Sequence, residues 1–155
     1  MPRRPLAPAR RRPLGVAALA AAALLTGCAG DGTVLDLGDG VTGYVSSEPD
    51  GARTAAIVAG TLAVSGGGCL VLDDGAGTRY FLALPYGTRA APGAVGVTSG
   101  TGQVLAVGDQ VTGGGGYDED DDWRDGVSGG GWSDVPGECL AGTSGLAYTY
   151  DLARA

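Results

Sequence analysis

The chain of 155 residues has no histidine and no lysine, so all ten of its basic residues are arginine. Without histidine, neither a Ser-His-Asp triad nor a Cys-His pair can form, and the common zinc sites are excluded as well. Without lysine, Ser-Lys pairs and Schiff-base chemistry are also excluded. Catalysis by two carboxylates stays open in principle because there are seventeen acidic residues, but no pattern selects a pair. The sequence therefore predicts a protein that is not an enzyme.

Two glycine-rich stretches lack the residues that would make them functional motifs. Gly142-Thr143-Ser144-Gly145 has no residue between the serine and the second glycine, which a nucleophile elbow requires. Gly113-Gly114-Gly115-Gly116 is not followed by Lys-Ser or Lys-Thr, so it is not a phosphate-binding loop.

The chain also lacks an apolar run of membrane-spanning length. The apolar run at residues 14–25 would extend only about 18 Å as a helix. A helix needs about twenty residues to cross a bilayer core of about 30 Å. Five arginines, in residues 3–4 and 10–12, precede this run. A basic segment followed by a short apolar one is typical of a secretory signal peptide, here residues 1–27. The arginines at 10–12 leave export by the twin-arginine route as an alternative to the general route.

The end of this leader, Leu25-Thr26-Gly27-Cys28, has the pattern of a lipobox. In this interpretation the chain is cut before Cys28, and the sulfur of Cys28 carries the lipid that anchors the mature protein outside the cytoplasm. Several acyl chains are needed for durable anchoring, because one alone binds a membrane reversibly. The alternatives are an ordinary signal peptide that is cleaved near a cysteine, or a Cys28 that pairs elsewhere.

Negative charge dominates the part of the chain that follows residue 27. It contains five arginines and all seventeen acidic residues, which is a formal charge of −12. Such a chain repels phosphate backbones and has no basic cluster to neutralise them, so nucleic acid is excluded as a partner. Anionic headgroups would repel it too, so we expect the acyl chains alone to hold it at the membrane. The remaining partner classes are an envelope protein or a glycan.

If Cys28 carries lipid, two of the three cysteines, Cys69 and Cys139, remain. Outside the cytoplasm we expect these two thiols to form a disulfide. The alternatives are two separate buried thiols and a redox pair, although their spacing is unlike the CxxC of redox proteins.

The mature chain reads as a flexible tether over residues 28–53 and a small β-domain over residues 54–155. Turn-forming residues punctuate the tether, in which residues 33–37 and 41–45 are two possible short strands. Beyond it, short apolar stretches alternate with turn signals such as Asp73-Asp74-Gly75 and Ser99-Gly100-Thr101-Gly102, which is typical of β-hairpins. Alternation over residues 146–152 predicts a strand that is buried on one face. The prediction is all-β: about six short strands in a small OB-like barrel or a β-sandwich.

An acidic, glycine-rich loop is predicted over residues 113–137. Within its segment 117–125, Asp118, Asp120 and Asp122 have the spacing of the first three ligands of a calcium loop. However, Trp123 stands where that loop needs glycine, and Gly129 stands where it needs glutamate. Weak calcium binding is the alternative to a solvated loop, and no other cofactor is expected.

The same loop contains both tryptophans of the chain, at positions 123 and 132. We expect them to fold back onto the barrel as a lid. The alternative is that they stay exposed and bind a partner or a glycan.

Several motifs follow one another in a familiar order, and together they resemble a family of small actinobacterial lipoproteins whose molecular function is not established. They are Gly60-Thr61-Leu62, Gly68-Cys69-Leu70-Val71-Leu72, Leu84-Pro85-Tyr86-Gly87, Val107-Gly108-Asp109-Gln110-Val111 and Pro136-Gly137-Glu138-Cys139. The resemblance covers about residues 54–145. It implies an extracytoplasmic β-domain in which Cys69 and Cys139 are joined, and it supplies no catalytic residue. The predicted function is a binding or structural role at the cell envelope, with a calcium- or solute-dependent binding module at residues 117–125 as the alternative.

Overall fold

The computed structural model describes residues 32–47, 56–120, 122–124 and 135–155. Within these residues there are eleven strands and one short helix, compared with the six or so short strands predicted. Seven of the eleven strands are only two to four residues long, too short to show an alternating pattern. The elements are β1 (Thr33–Asp36), β2 (Thr42–Val45), β3 (Ala56–Val64), β4 (Leu70–Asp73), β5 (Arg79–Leu84), β6 (Arg89–Ala90), β7 (Gly96–Thr98), β8 (Val104–Ala106), β9 (Gln110–Asp118), α1 (Gly137–Leu140), β10 (Gly145–Thr149) and β11 (Ala153–Arg154).

Five of these strands close into a barrel. Going around it, β3 pairs with β4, β4 with β5, β5 with β10, β10 with β9, and β9 again with β3. All five contacts are antiparallel except that of β5 with β10, which is parallel. This arrangement confirms the all-β prediction and is consistent with a small OB-like barrel.

Residues 32–47 belong to this folded unit. β2 pairs in parallel with the end of β5, where Val45 lies opposite Leu84, and β1 pairs antiparallel with β2. Gly38, Asp39 and Gly40 all have positive φ angles and form the turn that brings β2 back beside β1. Leu37, Val41, Tyr44 and Val45 are buried. The prediction of a flexible tether is therefore wrong for residues 32–47, because their turn residues connect paired strands.

The two predicted hairpins are confirmed. In the first, between β4 and β5, the carboxylate of Asp74 accepts hydrogen bonds from the backbone amides of Ala76 and Thr78 at 2.8 and 2.9 Å. In the second, between β7 and β8, the amide of Ser99 donates to the carbonyl of Gln103 at 2.9 Å. Strand β7 also pairs with β6, so these three strands form a small second sheet in the connection from β5 to β9.

The glycine run at 113–116 lies inside β9, so the prediction that a loop begins at residue 113 is wrong. These glycines allow a close approach of neighbouring backbone. A Cβ atom at Gly113 would overlap the carbonyl oxygen of Asp151, and one at Gly115 would overlap that of Tyr148.

The buried residues form two clusters on opposite sides of the barrel wall. The larger, here called the barrel core, is mainly aliphatic: Leu37, Val41, Val45, Val58, Leu62, Leu70, Leu72, Tyr80, Leu82, Leu84, Val97, Leu105, Val111, Ala147 and Leu152. The smaller, here called the outer layer, contains Tyr44, Cys69, Phe81, Ala83, Trp123, Cys139 and Leu146. Strand β10 contributes Ala147 to the first and Leu146 to the second, so the prediction that this strand is buried on one face is wrong.

Candidate functional site

The structure brings Cys69 and Cys139 together, with their Cα atoms 5.3 Å apart across 70 residues of sequence. Cys69 directly precedes β4 and Cys139 lies in α1, and both side chains are buried. This separation is within the usual range for a disulfide and fits the predicted pairing. The hydroxyl of Tyr44 lies 3.9 Å from Sγ of Cys139. Burial, and secondarily the negative charge of Glu138, raises the pKa of that hydroxyl.

Trp123 is only 2% exposed and packs in the outer layer. Its backbone amide donates to the carbonyl of Asp120 at 3.0 Å. The guanidinium of Arg124 lies 4.5 Å from the centre of its ring and donates to the carbonyl of Thr143 at 3.4 Å. The lid predicted from the two tryptophans is thus confirmed for Trp123, while Trp132 lies outside the described residues.

The outer layer covers the outward face of β5, the central one of barrel strands β4, β5 and β10. Phe81 packs against Tyr44, with ring centres 5.1 Å apart, and Trp123 and Cys139 belong to the same cluster. Ligands of OB-folds commonly bind on the face of the second and third barrel strands, which here are β4 and β5. In this chain that face of β5 is filled by the protein's own side chains.

The three aspartates of the predicted calcium loop lie in different local structures. Asp118 is the last residue of β9, where it pairs with Leu146, and its carboxylate accepts from the amide of Asp120 at 3.3 Å. Asp122 is a turn residue directly before Trp123 and Arg124, which have helical conformation. Within the described residues, no group of three or more His, Cys, Asp or Glu side chains is arranged to hold a metal ion. Calcium binding by residues 117–125 stays a prediction.

Near the start of β5, Tyr80 and Glu119 form a short hydrogen bond. The hydroxyl of Tyr80 donates to Oε1 of Glu119 at 2.5 Å, and the ring of Tyr80 lies 4.7 Å from that of Tyr117. Hydrogen bonding to Glu119, with burial as the second cause, raises the pKa of Tyr80 to about 12. The bond joins a residue of the barrel core to the segment that leads into Trp123.

An open cleft of about 460 Å³ lies where β5 and β10 end. A cavity of this volume is in the usual range for small-molecule sites. Pro85 and Tyr86 line one side, residues 150–153 and the glycines of β9 form another, and the β7–β8 turn at 99–101 forms a third. Ile57, at the start of β3, is 73% exposed, and Tyr86 is 58% exposed. Two of the most exposed large apolar side chains thus face one cavity.

Three of the polar side chains that line this cleft have partners within the protein. The hydroxyls of Ser99 and Thr101 lie 2.9 Å apart and bind each other. The carboxylate of Asp151 accepts a hydrogen bond from the amide of Gly114. What the cleft offers to a ligand is therefore mainly apolar surface.

Sequence reasoning did not find this cleft. Its lining comes from five separate stretches of chain that the barrel brings together, and each stretch reads as an ordinary turn or strand end. Among the lining residues, Tyr86 was noted only in a motif, and Tyr150 only as part of an alternating strand. An exposed isoleucine cannot be distinguished from a buried one before the fold is known.

The predicted lipid site, Cys28 with Leu25, Thr26 and Gly27, lies outside the described residues. No helix among residues that the structure describes is long and apolar enough to span a bilayer. Comparison of the chain with protein-family models, curated proteins and solved structures finds no match.

Proposed function

We propose that this chain is an exported lipoprotein, cut before Cys28 and anchored by lipid on the sulfur of that residue. Its β-domain then works at the outer face of the membrane, where it binds a component of the cell envelope. The resemblance to small actinobacterial lipoproteins belongs to the same proposal.

The observation that carries the proposal is the approach of Cys69 and Cys139 to 5.3 Å. Disulfides form and persist mainly in oxidising surroundings, so a disulfide between these two residues favours a location outside the cytoplasm. The pairing also leaves Cys28 without a cysteine partner in this chain, directly behind an apolar segment that ends in Leu25-Thr26-Gly27. Acylation of Cys28 accounts for the presence of a third cysteine directly after Leu25-Thr26-Gly27.

The binding role is supported by the cleft near Ile57 and Tyr86, because it offers an apolar surface of ligand size. Nucleic acid is disfavoured as the ligand by the formal charge of −12 that follows residue 27 and by the covered face of β5. None of these observations, the apolar cleft, the negative charge or the covered face of β5, indicates catalytic activity.

Intact-protein mass spectrometry of the membrane fraction tests the proposal. We expect a chain that begins at Cys28, carries fatty-acyl mass and takes up no thiol-alkylating reagent before reduction. The matched control is Cys28→Ser, which should keep the leader and carry no acyl mass while Cys69 and Cys139 stay joined. A wild-type chain that retains residues 1–27, lacks acyl mass, or is alkylated at Cys69 and Cys139 without reduction would refute it.

A further inference from the structure

The folded domain begins very close to the proposed lipid site. Thr33, the first residue of β1, follows Cys28 by five residues. Since an extended chain advances at most about 3.6 Å per residue, the Cα atoms of these two residues are at most about 18 Å apart. A lipid on Cys28 therefore holds the start of β1 within that distance of the membrane surface.

The start of β1 lies on the same side of the domain as the cleft. Thr33 pairs with Val45, and Val45 pairs with Leu84, the last residue of β5. Two strand spacings of about 4.8 Å place Thr33 about 10 Å from Leu84. Pro85 and Tyr86, which follow directly, line the cleft. An anchor before Thr33 thus keeps the mouth of the cleft next to the bilayer.

Charge is distributed along β5 in agreement with this orientation. At the start of the strand, Arg79 forms an ion pair with Asp73 at 3.2 Å, and Tyr80 binds Glu119. The acidic segment that begins at Asp118 lies at this same end, since Leu146 pairs with both Asp118 and Phe81. Negative headgroups repel such a surface. The residues that line the cleft at the opposite end include one acidic residue, Asp151, so that end is the more favourable one to face a membrane.

From these observations we infer that the cleft receives the acyl chain of a membrane lipid, an inference that rests on the proposed lipid anchor. Ile57, Pro85 and Tyr86 supply apolar contacts for a hydrocarbon chain, while the polar groups of Ser99, Thr101 and Asp151 are bound within the protein. A glycan would need free polar groups for its hydroxyls, and the cleft offers few. The bilayer supplies acyl chains at high local concentration within reach of the anchor.

Photo-crosslinking of the full lipidated protein tests the inference. The protein is purified from membranes and reconstituted into phosphatidylcholine vesicles in which some acyl chains carry a diazirine. After irradiation, labelled peptides are mapped by mass spectrometry, and the mass at Cys28 is measured in the same sample. We expect label on the peptides that contain Ile57 and Tyr86. Ile57→Asp should lower the label at Tyr86 by about tenfold, on the order of what burial of one isoleucine contributes to affinity.

Val34 gives the matched control, because it is 54% exposed and lies next to Thr33 but outside the cleft. Val34→Asp should leave the label at Tyr86 unchanged, and thermal melting should show that both variants stay folded. If Cys28 is acylated but the label falls mainly on β1, or is absent from Ile57 and Tyr86, the cleft does not take the acyl chain of a bilayer lipid and the lipoprotein proposal stands. A cleft filled by the protein's own lipid, a glycan or a second copy would give that result. If Cys28 carries no acyl mass, both proposals fall.

Discussion

The two faces of strand β5 are both buried, but by different means. Tyr80, Leu82 and Leu84 point into the barrel core, which the strands themselves enclose. Phe81 and Ala83 point outward and are covered by the outer layer. The inner face is buried as soon as the barrel closes. Burial of the outer face depends on side chains from distant segments. One of these segments, α1, is linked to the residue before β4 through the disulfide of Cys139 with Cys69. Burial of the outer face is therefore a separate requirement on the chain, and it can be lost while the barrel remains.

Replacement of both Cys69 and Cys139 by serine should have the largest effect and should act mainly on the outer layer. In the chain-entropy model, a crosslink across 70 residues stabilises the fold by roughly 4 kcal/mol. Chemical denaturation of the double variant should show a loss of that order, and amide exchange should rise in α1 before it rises in β3 or β9. Uniform exchange across the barrel would show that the two clusters unfold as one.

Leu82→Ala should have the next largest effect and should act on the barrel core. Leu82 is fully buried, and truncation of such a leucine costs about 3–4 kcal/mol because it leaves a cavity. The measurement is again denaturant unfolding, with Val34→Ala as the exposed control, for which we expect less than about 0.5 kcal/mol. A loss for Leu82→Ala no greater than for the control would contradict the assignment of this residue to the core.

Trp123→Ala should destabilise the protein by about 3 kcal/mol, the low end of the range for a buried tryptophan. Trp123 is not part of a paired strand, so its backbone can relax around the cavity more readily than that of a barrel strand. In a Trp132→Phe background, Trp123 is the single tryptophan, so its fluorescence reports on the outer layer alone. We expect a blue-shifted emission that moves to the red upon reduction of the disulfide. Emission typical of exposed indole in the oxidised protein would contradict its burial.

The smallest effect should come from pH and the Tyr80–Glu119 hydrogen bond. Because this bond raises the pKa of Tyr80 to about 12 in the folded protein, the protonated phenol stabilises the fold at pH values below its usual pKa of about 10. That contribution should be lost as the pH rises from about 10 to about 12. Unfolding followed across this range should show the decline in the wild type and in Tyr86→Phe, but less of it in Tyr80→Phe. Equal declines in all three proteins would refute the role of Tyr80.

Local features of the fold were predictable where a few adjacent residues decide them. The turns at 74–78 and 99–102 form because aspartate, serine and glycine bind nearby backbone, which requires no distant partner. The burial of Ala147 in the barrel core was not predictable in this way. Alternation marks Leu146 and Tyr148 as the inward residues of a half-buried strand, yet Ala147 is the residue that enters the barrel core. The outer layer also buries the outer face of β10. Buried and exposed residues therefore do not alternate along this strand, and the alternation of apolar and polar residues does not show which face enters the core.

The glycines of β9 also show that local sequence preferences do not predict tertiary contacts. Four consecutive glycines favour a loop when only local preferences are considered. In the barrel, Gly113 and Gly115 pass so close to the carbonyls of Asp151 and Tyr148 that a side chain would not fit. The cleft was unpredictable for a related reason, since Ile57 and Tyr86 are 29 positions apart in sequence and meet only when the barrel closes.

By itself, the sequence determined the all-β character, the two hairpin turns, the exclusion of histidine- and lysine-dependent chemistry and the expectation that Cys69 pairs with Cys139. These follow from residue chemistry and short-range preferences, which act before any tertiary contact forms. Only the tertiary structure decided that residues 32–47 join the barrel, that the outer face of β5 is covered, and that an apolar cleft opens where β5 and β10 end. Such features depend on contacts between distant segments, and local patterns do not encode which segments meet.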